Sequence, residues 1–220
     1  MSGKIGKLYS NIMEKLRFEP GLDADNITIA IKDGGVIVIA GEVKSYAEKF
    51  LAEEAIKKIH GVNGIADELK INLAMDYVRS DADILKAALD ALKWDFFVPN
   101  NQIKVVVTSG FITISGTVQK YYQKLSAEKA VQNLIGVIGV NNEITVLPDA
   151  QAKNIKERII EEFNRNAKID ENSVNVEVEG GIVTLKGQVR DFDEDKEARL
   201  VAWSVPGVSK VIDQMLISWR

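Results

Sequence analysis

Three times along this chain apolar and polar residues alternate, break at a glycine, alternate again, and then change to a helical spacing. The first alternations run Ile27 to Ile31, Ile103 to Val107 and Val174 to Val178. Glycine turns follow at Asp33-Gly34-Gly35, Ser109-Gly110 and Gly180-Gly181. Second alternations then run Val36 to Ala40, Phe111 to Ser115 and Ile182 to Lys186, so each pair predicts a β-hairpin. The glycines keep register. Gly35, Gly41 and Gly61 recur as Gly110, Gly116 and Gly136, and again as Gly181, Gly187 and Gly207, with steps of 6 and 20 residues and offsets of 75 and 71. Agreement at nine positions marks an internal repeat, which decides the architecture before anything else does.

After Gly41-Glu42-Val43, Gly116-Thr117-Val118 and Gly187-Gln188-Val189 the period becomes that of a helix. Ala52, Ala55, Ile56 and Ile59 fall on one stripe, as do Ala127, Ala130, Val131 and Leu134, and Ala198, Val201, Ala202 and Val205. Ser45 with Glu48, and Asp191 with Glu194, are spaced as N-terminal capping pairs; Lys120 stands there in the middle copy, so its cap must differ. Each helix stops at a Gly-Val pair. A closing strand is predicted at Leu69 to Leu73, Ile144 to Val146 and Met215 to Ile217. An amphipathic helix precedes each hairpin, marked by Ile5, Leu8, Ile12 and Leu16, by Ile84, Leu85, Ala88 and Leu92, and by Ile155, Ile159 and Phe163.

The predicted fold class is therefore α+β: three tandem αββαβ modules over residues 1–76, 77–148 and 149–220. Each is expected to be a small three-stranded mixed sheet with two helices packed on one face, because a lone small sheet must bury its apolar side. The second strand, helix and third strand form a crossover, which leaves those strands parallel. The joins, Ala74 to Ser80 and Leu147 to Gln151, are too short for free tumbling, so the modules should dock.

The element order, the glycine hairpin, the Gly-x-Val strand end and the Gly-Val helix stop together resemble the BON domain, named for bacterial osmotically inducible and nodulation proteins. The resemblance covers nearly the whole chain. It implies osmotic or envelope stress, phospholipid binding, chaperone-like activity or, in one subgroup, potassium sensing, and an envelope location. These motif positions are structural glycines and core residues, so the resemblance implies no catalytic group.

Composition narrows the classes further. The 220 residues are 46% hydrophobic and 27% charged, with formal net charge -4. Basic and acidic residues number 10 and 12 in residues 1–78, 7 and 7 in 79–149, and 11 and 13 in 150–220. A phosphate-neutralising protein carries a basic stripe, so no nucleic-acid partner is expected. With no cysteine there are no disulfides, thiolate metal sites, thiol nucleophiles or lipid-modified cysteine. No apolar run reaches membrane-spanning length. Residues 1–18 read as an amphipathic helix rather than a secretory signal, which leads to an expected cytoplasmic location, or a periplasmic one if a signal peptide has been removed.

Candidate chemistry is sparse. His60, the lone histidine, has Ile135 and Pro206 at its place in the other copies and no implied partner for a triad or zinc site. Asp191, Asp193 and Asp195 have the alternate spacing of a calcium loop, but Lys196 and Ala202 stand where its glycine and glutamate belong. Acids there suit a first helical turn instead. Gly34-Gly35 and Gly180-Gly181 lack the following Lys-Ser/Thr and helix of a phosphate loop. No enzyme activity, cofactor or metal is expected.

Two features point to binding. Lys93-Trp94-Asp95-Phe96-Phe97-Val98-Pro99, with Lys86 one turn and more upstream, could enter a lipid headgroup boundary or receive a protein partner. The competing expectation is that one or two of these rings fill the gap between helix and sheet, with Phe18 and Phe163 in comparable places and Trp94 the extra ring. Asp83 and Asp90 blunt the lysines. On the second strand, the face away from the helices reads Val36, Val38, Ala40 in the first copy, against Phe111, Thr113, Ser115 and Ile182, Thr184, Lys186. An open sheet face should be polar unless covered, so Val36, Val38 and Ala40 are expected to meet another module or another chain, leaving a homo-oligomer open. The function expected is non-enzymatic binding of the stress type, to phospholipid surfaces or envelope partners; a chaperone-like holdase and a potassium-responsive ion sensor are the alternatives.

Overall fold

A computed structural model describes residues 2–148, 153–170 and 172–218. Module 1 runs α1 (Ser2–Arg17), β1 (Ile27–Lys32), β2 (Val36–Val43), α2 (Tyr46–Lys57) and β3 (Gly64–Ile71). Module 2 repeats this as α3 (Asp81–Trp94), β4 (Ile103–Thr108), β5 (Phe111–Val118), α4 (Tyr121–Gln132) and β6 (Gly139–Val146). Module 3 follows with α5 (Ile155–Arg165), β7 (Val174–Glu179), β8 (Ile182–Val189), α6 (Phe192–Ser204) and β9 (Lys210–Ile217). In every sheet the middle strand pairs antiparallel with the first and parallel with the third. The α+β fold of three αββαβ modules is as the hydrophobic spacing requires.

Each module owns a core. In module 1, Leu8, Ile12 and Leu16 of α1 and Ala52, Ala55 and Ile56 of α2 close over Ile27, Ile37, Ile39, Val43 and Leu69 of the sheet. Both helices thus cover one face, and modules 2 and 3 repeat the arrangement around Ile112 and Ile114, and around Val183 and Leu185. The third strands begin about five residues before their apolar ends. Their first halves, Gly64 to Glu68 and counterparts, pair along the central strand while carrying polar residues such as Asp67 and Glu68. A strand whose outer face meets water shows little hydrophobic period there.

The repeated glycines all adopt positive φ, from 74° at Gly35 to 139° at Gly116. Gly41, Gly116 and Gly187 have a second constraint. A Cβ at each would lie 2.0 Å from a backbone oxygen, of Asn26, Gln102 and Ser173 respectively. Only glycine lets the start of the first strand approach the middle strand so closely.

Capping differs in the middle copy. Ser45 Oγ accepts from Glu48 N–H at 3.1 Å and Asp191 Oδ1 from Glu194 N–H at 2.9 Å. At α4 only the reverse half of the box is made by a side chain: Gln123 Oε1 accepts from the Lys120 N–H at 3.0 Å.

The modules dock through their second helices. Tyr46, the first residue of α2, packs against the module 2 core, where burial and then the Glu128 charge raise its phenol pKa. Tyr121, the first residue of α4, stacks on Trp203 of α6 with centroids 4.3 Å apart and planes 6° from parallel. Phe192, the first residue of α6, packs against the module 1 core, and Lys196 one turn on pairs with Glu54 of α2.

Candidate functional site

At the end of α3 the chain turns outward. Leu92 and Val98 are buried and fill the space between helix and sheet. The rings between them are therefore excluded from the core, contrary to the expectation that one or two would occupy it. Trp94 is 85% exposed, Phe96 93% and Phe97 54%. Phe18 and Phe163 are not comparable either, since Phe18 is exposed whereas Phe163 is buried. Phe163 holds the place of Leu16 and Leu92, one or two residues before the helix ends.

Exposure here does not mean a loose loop. Asp95 caps α3, its N–H donating to the Ala91 carbonyl at 3.2 Å. Its carboxylate accepts from the Phe97 N–H at 2.8 Å and from the Ser126 hydroxyl at 3.0 and 2.9 Å. Ser126 lies on α4, so one carboxylate ties the turn to a second helix. The rings then pack on one another. Phe96 meets Phe97 edge-on at 5.5 Å and 79°, and Phe97 meets Tyr122 at 5.7 Å and 85°. Such edge contacts are worth about 0.5–1.5 kcal/mol each beyond area burial.

Tyr122 was not among the residues singled out by sequence. Its signal was the doubled aromatic Tyr121-Tyr122, where the other copies read Tyr46-Ala47 and Phe192-Asp193. The first ring of the pair belongs to the module joint and the second is extra, 53% exposed.

Lys86 and Lys93 are exposed on α3, with exposed Leu89 between them on the same stripe. Asp90 is exposed beside them, and Asp83 accepts from Ser80 Oγ at 2.6 Å. The site is an aromatic ridge at the end of α3, with Lys86 and Lys93 on the helix behind it. Among the described residues no group of three His, Cys, Asp or Glu side chains could hold a metal, and no helix is long and apolar enough to cross a membrane.

The second candidate surface stands apart from the ridge. Val36 is 36% exposed, and Val38 and Ala40 are half-buried. The docking contacts described above run through α2, α4 and α6. Across the sheet Val38 is level with Ala30 and Ala66, both exposed, so the face has a small apolar centre.

Comparison with known proteins places the chain. The osmotically-inducible protein Y of Escherichia coli (strain K12) is 32% identical over 134 residues, 56% of this chain and 65% of that protein. The match thus spans less than two thirds of the relative's length. Among solved structures, the C-terminal domain of CdsD, a structural protein of the type III secretion system of Chlamydia trachomatis, aligns over 96% of both chains at 13% identity with a TM-score of 0.26. The PrgH periplasmic domain aligns over 89% of this chain and 97% of its own at 11% identity and a TM-score of 0.22. Likeness that weak supports no inference. The BON domain family matches residues 6–72, 80–148 and 151–218, nearly the whole length, and the chain belongs to that family as three consecutive BON domains.

Proposed function

We propose that this protein is a non-enzymatic binding protein of the osmotic and envelope stress type, and that it binds phospholipid surfaces through the aromatic ridge of module 2. The observation that carries the reading is the combination of exposure and order at residues 94–97. Phe96, Phe97 and Tyr122 pack on one another in water over a turn fixed by the Asp95 carboxylate, and Trp94 stands exposed beside them. Exposed apolar surface costs free energy in a monomer, so an ordered patch of it marks a place for a partner. Aromatic rings with lysines beside them suit the boundary between acyl chains and anionic headgroups. Kinship with an osmotically-inducible protein supports the stress setting.

The test is co-sedimentation with vesicles of phosphatidylglycerol and phosphatidylcholine at low salt. Wild type should pellet with the vesicles, and raising salt should weaken it only modestly, because few lysines contribute. Trp94→Ala with Phe96→Ala should weaken binding by about tenfold or more, since each ring buried contributes on the order of 1.5–3 kcal/mol. The proposal is wrong if wild type stays in the supernatant, or if the double variant pellets as wild type does.

A further inference from the structure

The sheet of module 1 turns its second face to water. Register across the strands arranges that face in three rows: Thr28, Ala40 and Glu68; Ala30, Val38 and Ala66; Lys32, Val36 and Gly64. Six of these nine residues are exposed, Val36 among them, while Val38, Ala40 and Gly64 are half-buried, so the rows are open to solvent.

The other two modules carry the same three rows and serve as internal controls. Their centres are polar: Thr113 between Val106 and Asn141 in module 2, and Thr184 between Glu177 and Ile212 in module 3. In module 3 the face also satisfies its own charge, because Lys186 pairs with Glu177 at 2.6 Å. An open sheet face is expected to look so. Module 1 differs in both respects. Its central row is Ala30, Val38 and Ala66, and the two charges on its rows, Lys32 and Glu68, have no ion-pair partner among the described residues.

Those two charges lie at opposite corners. They are two strand spacings apart across the sheet and four residues apart along it, about 10 Å by 13 Å. A two-fold axis lying in the face, through Val38 and perpendicular to the line joining the corners, exchanges them. It sets Lys32 of one copy against Glu68 of the other, twice, and Val38 against itself, as an isologous contact requires. The strands of the two copies then cross at roughly 70°, toward the orthogonal class of sheet packing. Alanine on both sides of Val38 lets the faces approach closely. Lys70, two residues beyond Glu68, falls outside the facing rows.

We propose that a second copy of this chain packs on the module 1 sheet through this two-fold contact, with Val38 on the axis and Lys32 facing Glu68 on either side of it. The inference is independent of the lipid reading, whose ridge belongs to module 2. The rows span roughly 15 by 20 Å, about 300 Å² per copy, against about 800 Å² per partner in a standard stable interface. The dimer is therefore weak, with a dissociation constant on the order of 0.1 mM.

Small-angle scattering of the full chain, over a concentration series reaching about tenfold above that value, should show the mean mass rising toward twice the monomer's. Val38→Thr gives module 1 the centre that modules 2 and 3 carry, and should weaken association about tenfold. Val38→Lys should abolish it. Lys32→Glu sets like charges together at two places and should also weaken it at least about tenfold, and adding Glu68→Lys should restore it. These side chains lie outside the module core, and circular dichroism melts establish that each variant is folded. The proposal is overturned if wild type keeps the mass of a monomer, or if both Val38 variants associate as wild type does. It is overturned equally if Lys32→Glu changes nothing, or if the double reversal fails to restore what the single one removed. Association lost in Trp94→Ala but kept in Val38→Lys would put the contact at the ridge and sink the proposal too.

Discussion

Asp195 of α6 and Asp213 of β9 face each other with Arg199 between them. Asp195 is 7% exposed. Arg199 donates to its Oδ2 from Nη2 at 2.7 Å and from Nε at 3.0 Å, and the Nε lies 3.4 Å from Asp213 Oδ2. The other copies explain why two carboxylates meet. Lys49 and Lys124 hold the place of Asp195, and Lys49 pairs with Asp67, the counterpart of Asp213, at 3.2 Å. In module 3 the helix position is acidic opposite an acidic strand position, whereas module 2 sets Lys124 against Asn142, and Arg199 stands where modules 1 and 2 have Glu53 and Glu128. Burial first, and then the hydrogen bond and charge of Asp213, push the Asp195 carboxyl from 3.8 up to about 6, against the pull of Arg199.

The perturbation is Asp195→Asn, which keeps the shape and removes the charge. A folded-state value above the unfolded one means that the folded protein binds the proton more tightly. Stability from this group is then fully present below pH 3.8 and is lost as pH rises through about 6. The difference between those two values corresponds to about 3 kcal/mol at neutral pH, of which a new amide hydrogen bond to Asp213 leaves on the order of 1–3 kcal/mol as gain. For a chain of this length each kcal/mol moves Tm by about 2–4 °C. Asp195→Asn should therefore melt several degrees above wild type at pH 7.5, and the two curves should converge near pH 4. Taking the difference between variant and wild type cancels carboxylates such as Glu194, which is lowered despite burial by Arg190 and by backbone donors and titrates alike in both proteins. A lower Tm for the variant at pH 7.5 would refute the reasoning, because Asp195–Arg199 would then be a stabilising ion pair.

Two further outcomes test the fold. Gly116→Ala forces a methyl to within 2.0 Å of the Gln102 carbonyl at φ 139°, and urea unfolding should show a loss of about 3 kcal/mol or more. A double-mutant cycle on Tyr121→Ala and Trp203→Ala should return a coupling of about 1 kcal/mol by the same assay, and additivity would mean that the stack does not join modules 2 and 3.

The modules were legible because their signals are local: glycine turns forced by positive φ, and apolar residues at periods of two and about 3.6. What lay between modules was written equally plainly but in a form that periodicity hides. Tyr46, Tyr121 and Phe192 recur at the glycine offsets, yet each is one ring at a helix start, and a single ring on a polar stripe looks like a surface residue. Repetition across copies, rather than hydrophobicity within one, was the usable signal. The ridge failed to be legible for another reason. Whether Phe96 and Phe97 are buried depends on what else reaches the helix-to-sheet gap, and Leu92 and Val98 fill it first. Their exposure follows from a competition for volume that no residue carries by itself, and Asp95 can fix the turn only because Ser126 comes to it from a helix 31 residues on. Copies of one module thus keep their cores alike while their helix ends, where that competition leaves residues free, diverge into Phe18, Trp94 and Arg165.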